Sequence, residues 1–154
     1  MIHLEIPEIK GDGQTEGFKD QIDCNSFSWG AANSADANTP EGLTRATSSA
    51  SQVTLGAAVG KQTINMMQGA LISKHLPKAT LHFTRTAGDN KVVEWMTLEM
   101  TNVVISSASI SCSEQDMGYE NFTLAFEEFA MKYFLIDTQG NKTNGPDLTY
   151  NITK

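Results

Sequence analysis

The chain has 154 residues, 40% of them hydrophobic, and a formal net charge of −7 from 18 acidic and 11 basic side chains. Its length favours a single domain, which we place at residues 1–154, able to bury about two-thirds of its unfolded surface. The basic residues are scattered singly, which argues against a nucleic-acid partner, and no apolar run approaches the about 20 residues needed to span a bilayer.

The first predicted strand lies at the N-terminus. Residues 2–6 alternate apolar and polar side chains and are followed by Pro7, which is the pattern of a half-buried strand. Because this strand follows Met1 without a basic and apolar leader, we expect a cytoplasmic product with no cleaved signal peptide and no membrane insertion.

A second strand is predicted over residues 20–29, with Ile22 and Cys24 on one face and Phe27 on the other. The second cysteine, Cys112, lies far away in the sequence, and neither cysteine belongs to a CxxC pair. We therefore expect two reduced, part-buried thiols rather than a disulfide or a metal site.

Residues 30–51 form the longest segment without periodicity. They are rich in Ala, Ser, Thr and Asn and hold one large apolar residue, Leu43. Loops of this length are usually functional or disordered. The composition leaves two interpretations open, a loop that packs on a neighbouring subunit and a surface insert without fixed structure.

A short strand is predicted over residues 52–57 and one helix over residues 61–73. Ile64, Met67 and Leu71 recur at helical spacing, with Met66 and Ala70 beside them, so this face is predicted to pack on the rest of the protein. The helical residues predicted to face away are Gln62, Asn65 and Gln68.

Residues 75–105 are predicted to form a long β-hairpin. Leu81 and Phe83 alternate with polar residues in its first arm, and Leu98 and Met100 do so in its second. The glycine, aspartate and asparagine between the arms favour a turn.

The remaining pattern continues in strands over residues 103–110, 120–135 and 148–152, the last after a predicted turn at 137–146. At Glu127-Glu128 the alternation slips by one residue, which predicts a β-bulge. About eight strands and one helix in all predict a mainly β fold, a β-barrel of two packed antiparallel sheets with the helix at its side.

The candidate metal-binding motifs of the sequence are incomplete. His3, His82 and Glu94 could meet across strands, but they lack metal-ligand spacing, and solvated or capped imidazoles are expected. A loop that starts at Asp137 resembles a calcium loop but has Leu148 where the twelfth position requires glutamate. We therefore predict no catalytic residue, metal or cofactor, and a structural or binding module rather than an enzyme.

Several blocks of sequence, taken in order, resemble the Hcp family, the haemolysin-coregulated proteins that form the tube of type VI secretion systems. These blocks are residues 2–6, 17–23, 26–30, 74–81, 85–88, 103–107, 120–126 and 132–133. The helix and the segment from Asn144 depart from the family pattern.

The resemblance implies a barrel whose copies form a hexameric ring, with rings stacked into a tube inside a contractile sheath. It further implies a spike protein at the tip, small effectors in the lumen and secretion through the type VI system. The loop at 30–51 would then contact a neighbouring subunit or ring. The residues to which we give this role are Asn33, Thr39, Pro40, Glu41, Leu43, Thr44 and Arg45.

Three alternatives to this interpretation have their own requirements. A phage tail-tube-like protein would share the architecture. A ligand-binding β-sandwich or adhesin domain would need a secretion signal or a disulfide framework, and an enzyme on a β-barrel would need a cluster of perturbed side chains in a pocket.

Overall fold

The computed structural model describes residues 1–30, 32–33, 48–49, 52–87, 91–115 and 118–151, with only the backbone described for the two short pairs. The described elements are β1 (Ile2–Glu5), β2 (Ile22–Trp29), β3 (Ala32–Asn33), β4 (Ser48–Ser49), β5 (Gln52–Ala58), α1 (Thr63–Ile72), β6 (His75–Ala87), β7 (Lys91–Ser111), β8 (Tyr119–Ile136) and β9 (Lys142–Asn151).

One antiparallel sheet makes up the body of the protein, in the order β5-β2-β1-β6-β7-β8-β9. Strand β5 also pairs with β8 along its whole length, from Gln52 opposite Ala125 to Ala58 opposite Tyr119. Six strands therefore close into a barrel, and β9 continues the sheet outside it. The predicted mainly β barrel with a single helix is confirmed, and its layers belong to one continuous sheet.

The predicted central hairpin is the pairing of β6 with β7. Leu81 lies opposite Leu98 and Phe83 lies opposite Met96, as the alternation in both arms requires. Leu81, Leu98 and Met100 are fully buried in the main hydrophobic core. A shift of the pairing by one residue would turn these apolar side chains towards solvent, so their burial fixes the register of the two strands.

The predicted faces of β2 are wrong beyond Cys24. A register shift lies between Cys24 and Ser26, opposite β5. An irregularity of this kind reverses the face of the sheet towards which the following side chains point. Phe27 and Trp29 therefore pack against the same core as Ile22.

The β-bulge predicted at Glu127-Glu128 is also wrong. Thr101 lies opposite Glu128 and Val103 lies opposite Phe126, so neither strand holds an extra residue there. The slip in the pattern is nevertheless present, because β7 and β8 change their buried face together at this position.

The packed face of the helix differs in part from the one predicted. Met66 is buried as predicted, but Thr63 and Gly69 are buried too, whereas Ile64 and Leu71 are exposed. Gln62, which was predicted to face away, is also buried. The cause is a close approach to β7, since a Cβ built on Gly69 would lie 2.7 Å from Cδ1 of Ile105. The smallest residue of the helix, rather than its most apolar ones, therefore defines the packed face.

The turn before the last strand is shorter than predicted. Oδ1 of Asp137 accepts hydrogen bonds from the backbone N–H groups of Gln139 and Asn141, at 2.9 and 2.8 Å. Chiefly through the Asn141 N–H, these bonds hold the pKa of Asp137 below its ordinary value. Strand β9 then begins at Lys142 instead of residue 148.

Candidate subunit-contact surfaces

The exposed side of α1 carries three large apolar side chains, which we call the outer stripe. Ile64 is 75% exposed, Leu71 is 79% exposed and Ile72 is 61% exposed. The helix itself contains no charged residue. Exposed large apolar side chains on one side of a helix form a candidate surface for contact with another molecule.

A second apolar surface, which we call the outer wing, is formed by β9 and the end of β8. Leu148 lies opposite Met131 and Tyr150 lies opposite Phe129, so these side chains share the side that faces the core within the barrel. Because β9 lies beyond the closing strand pair, its members stand exposed there. The exposed large apolar residues of the wing are Tyr133, Leu135, Leu148 and Tyr150.

Strand β9 also ends the sheet. Within the described residues it pairs only with β8, so its other side is the outer edge of the sheet. An exposed edge strand is a template for pairing with another chain.

The predicted contact loop begins and ends at a short two-stranded sheet. Ala32 lies opposite Ser49 and Asn33 lies opposite Ser48. Of the residues predicted to make the contact, only Asn33 falls within the described backbone. The others, Thr39, Pro40, Glu41, Leu43, Thr44 and Arg45, lie outside the described residues.

On the outside of the barrel, His3 and His82 lie directly opposite each other in β1 and β6. His3 is fully buried, with Nδ1 2.8 Å from Oδ1 of Asp23 and Nε2 3.3 Å from Oγ1 of Thr84. The ring of Phe18 stacks on it with centroids 4.6 Å apart. This imidazole is thus capped, as the sequence predicted.

His82 has a more strongly charged environment. Its Nδ1 lies 2.5 Å from Oε2 of Glu94, and its Nε2 lies 3.8 Å from Oε1 of Glu5. Burial alone would lower the pKa of His82, but the hydrogen bond and charge of Glu94, with the charge of Glu5, raise it above its ordinary value.

Glu94 links this site to the last strand, because Nζ of Lys142 lies 3.4 Å from its Oε1. Burial opposes ionisation of Glu94, but His82 and then Lys142 outweigh it and hold the pKa below its ordinary value. His82 and Glu94 therefore form an ion pair at mildly acidic pH. Among the described residues no group of three His, Cys, Asp or Glu side chains is arranged to hold a metal ion.

The two cysteines differ in environment. Both thiols are free, but only Cys24 is buried, and the expectation that Cys112 is part-buried is wrong. Burial, followed by the charges of Asp23 and Glu120, raises the pKa of Cys24 to about 12. Such a thiol is a packing group rather than a nucleophile.

Sequence reasoning missed the outer stripe because it assigned every apolar helical residue to the core. The available signal was Gly69, a poor helix former in the middle of a helix, which can indicate close packing at that position. No helix in the described part of the chain has the length and apolarity needed to cross a membrane.

Comparisons with known proteins agree on one family. Residues 3–133 match the family model described as the type VI secretion system effector Hcp. The protein hcp1 of Pseudomonas aeruginosa is 27% identical over 144 residues, which cover 93% of this chain and 88% of that protein.

Solved structures show the same fold. The crystal structure of a type VI secretion system effector from Yersinia pestis superposes with a TM-score of 0.77 at 16% identity, covering 98% of this chain and 99% of that one. Hcp1 from Salmonella typhimurium gives 0.75 at 19% identity, covering 99% and 94%. The chain therefore belongs to the Hcp family of the type VI secretion system.

Proposed function

We propose that this protein is the structural subunit of a type VI secretion inner tube, in which six copies form a ring and rings stack into a tube. Residues 1–154 would act as one domain in this assembly. The observation that carries the proposal is that one chain exposes two separate apolar surfaces, the outer stripe and the outer wing, together with an open sheet edge.

Two different surfaces on one chain suit a ring. A head-to-tail contact joins one surface of a subunit to the other surface of the next, and it forms a closed ring when the rotation between subunits is correct. Contact between the outer stripe and the outer wing would remove exposed Leu71 and Leu148 from water, and pairing at β9 would cover the outer edge of the sheet.

Stacking is assigned to the loop between Asn33 and Ser48. The two ends of this loop are paired, Asn33 opposite Ser48, and its composition offers Leu43 and Arg45 to a neighbour in place of its own core. Glycine at both positions is expected to weaken stacking while leaving the barrel folded.

The work of such a tube is mechanical, since a contracting sheath would expel it with a spike at the tip. Small effectors would travel in the lumen, and export through the type VI system would require no cleaved signal peptide. A subunit in this role is a structural protein and requires no catalytic residue.

The deciding experiment is light scattering on a sizing column, with negative-stain images of the same peak. We expect particles of six times 16.8 kDa that appear as rings with an open centre. A monodisperse monomer at all concentrations tested would overturn the ring, and unchanged stacking after loop deletion would overturn the role given to the loop.

A further inference from the structure

A pocket of about 260 Å³ lies where the outer wing meets the barrel. The described residues that line it are Arg85 of β6, Trp95 of β7 and Tyr133, Phe134, Leu135 and Ile136 of β8. We call it the wing pocket, because Tyr133 and Leu135 are also exposed members of the outer wing. The outer wing therefore has a concave part as well as exposed side chains.

The wall of the wing pocket is aromatic. The ring of Trp95 packs against the rings of Phe83 and Tyr133, with centroids 5.6 and 6.4 Å away. Phe83 belongs to the core, so the half-buried indole of Trp95 is supported by fixed side chains. Aromatic groups held in this way are the preferred anchors of protein–protein contacts, because they lose little conformational freedom on binding.

Arg85 supplies a positive charge at the wing pocket. It is exposed, and none of the ion pairs among the described residues includes it. A guanidinium group can bind up to five acceptor atoms, and carboxylates and carbonyl oxygens are the acceptors that proteins offer. The pocket therefore suits a partner that brings an apolar side chain together with negatively polarised oxygens.

The C-terminal end of α1 has this combination. Leu71 and Ile72, the two members of the outer stripe in its last turn, are exposed, and that turn contains no basic residue. The carbonyl groups at a helix C-terminus carry a partial negative charge, which a nearby cation stabilises. Nζ of Lys74, just after the helix, lies 3.7 Å from Oε2 of Glu8, so its own charge is already balanced.

The outer stripe and the outer wing also agree in length. Ile64 and Ile72 are separated by about 12 Å along the helix, at about 1.5 Å per residue. Strands β6, β7, β8 and β9 are consecutive in the sheet, so β6 and β9 lie about 14 Å apart. A helix laid across these strands with Ile72 at Arg85 would place Ile64 near β9, which carries the rest of the outer wing.

We propose that the last turn of α1 in one copy occupies the wing pocket of the next copy in the ring, with Leu71 against Trp95 and Ile72 beside Arg85. This contact rests on the proposed ring, and it adds where the two surfaces meet and in which direction the helix lies. Arg85 then faces the C-terminal carbonyl groups of the neighbouring helix. Because the two surfaces are different, the contact repeats head to tail around the ring.

Charge reversal at Ile72 and Arg85 tests the contact. Ile72 is exposed in the single chain, so Ile72→Glu and Ile72→Lys should both leave the barrel folded. Beside Arg85, the carboxylate is expected to be tolerated and the ammonium group to weaken the ring. In an Arg85→Glu background this order is expected to reverse, so that Ile72→Lys gives the more stable ring.

Light scattering over a dilution series gives the concentration at which each ring dissociates, and circular dichroism reports the fold. Each change of charge is expected to alter the affinity of one contact by about two- to fivefold, and a ring contains six such contacts. Lys19→Glu is the control background, since it makes the same change of charge at an exposed residue outside the stripe and the wing. In this background the order of the Ile72 variants is expected to stay as in the wild type.

Fluorescence gives a second measurement that needs no substitution within the contact. The chain has two tryptophans, so Trp29→Phe leaves Trp95 as the only one. Quenching of Trp95 by acrylamide is expected to increase when the ring is diluted into single chains, because the wing pocket then loses its cover.

The outcomes separate the contact from the ring. A wild type that stays monomeric at every concentration overturns both together. A hexamer in which the Ile72 variants keep the same order in the Arg85→Glu background, or in which quenching of Trp95 does not change on dissociation, overturns the contact alone.

Discussion

Nδ2 of Asn102 donates a hydrogen bond of 2.6 Å to Oε2 of Glu127 at the rung where β7 and β8 both change their buried face. Asn102 has φ of +56°, in the left-handed region. One left-handed residue turns the strand over without adding a residue, which is why the register is the same on both sides. Asparagine tolerates this conformation better than other residues that have a Cβ.

Replacement of Asn102 tests whether the backbone or the side chain matters at this rung. Asn102→Val is expected to lower the free energy of unfolding by about 1–2 kcal/mol, because a β-branched residue is strained in the left-handed region. Asn102→Gly keeps the conformation and loses one exposed hydrogen bond, so its cost is expected to stay below about 1 kcal/mol. Urea unfolding measures both. Equal costs for the two variants, or a similar loss in the control Asn121→Val on ordinary strand backbone, would contradict this account.

Much of the fold follows from period-two alternation. Leu81 and Leu98 could be paired from the sequence because each lies in a long arm with one apolar face, and a one-residue slip would expose both. Period-two alternation fails after Cys24 and at Glu127, where the backbone changes the face of the sheet towards which the following side chains point. A local pattern indicates that a slip occurs, but whether a bulge or a left-handed residue causes it is decided by the facing strand.

The candidate surfaces were harder to predict for a different reason. An apolar helical residue such as Leu71 can pack either on the core of its own chain or on another copy of the chain, and the sequence pattern is the same in both cases. The start of β9 was missed because Gly145 and Pro146 favour a turn, yet here they lie within a strand at a shift of its register with β8.

The contact between Gly69 and Ile105 predicts a coupling between α1 and β7. Gly69→Ala gains about 1 kcal/mol of helix propensity but forces a methyl group against a buried side chain, which costs about 1–3 kcal/mol. We expect a net loss of about 1 kcal/mol. Because valine lacks Cδ1, Gly69→Ala is expected to cost less in an Ile105→Val background, with a coupling of about 1 kcal/mol in a double-mutant cycle.

The control for this cycle is Gly30→Ala, since a Cβ at Gly30 would meet no atom within 4 Å. Additive effects of the Gly69 and Ile105 changes in urea unfolding would show that the close approach carries no energetic consequence.

A buried pair beneath the start of the helix predicts a second coupling. Nε2 of Gln62 donates a hydrogen bond of 2.5 Å to Oε1 of Glu120, and both residues are only 3% exposed. Gln62→Leu removes this donor from a buried carboxyl group and is expected to cost about 2–4 kcal/mol. Adding Glu120→Leu should recover part of this loss, since the buried carboxyl group is then gone, although the Ala58 carbonyl oxygen still lacks the Gln62 amide, 3.1 Å away in the wild type. Chemical denaturation measures the free energy of unfolding of these variants, with Gln52→Leu as the exposed control. Additive effects of Gln62→Leu and Glu120→Leu would show that the two side chains are not coupled.

The His82–Glu94 pair predicts a maximum in stability with pH. The pKa of His82 is raised, so its contribution is complete below about pH 6.5 and is lost as the pH rises through its folded pKa. The pKa of Glu94 is lowered, so its contribution is complete above about pH 4.5 and is lost as the pH falls through its folded pKa. The melting temperature of the wild type should therefore exceed that of the double variant His82→Gln/Glu94→Gln most strongly between these two values. A difference that is constant from pH 4 to pH 9 would rule out the pair as its source.

The outer stripe offers a test of ring formation with a control elsewhere on the surface. Leu71 on α1 and Gln52 on β5 are both exposed, so glutamate at either position should leave the monomer fold intact. Leu71→Glu places a charge within the proposed apolar contact and is expected to reduce the particle mass from six copies to one, whereas Gln52→Glu, outside the stripe and the wing, keeps the ring. Leu148→Glu in the outer wing should act as Leu71→Glu does, because closure requires both surfaces. Light scattering reports the mass and circular dichroism reports the fold, and a hexamer that survives both changes would remove the stripe and the wing from the interface.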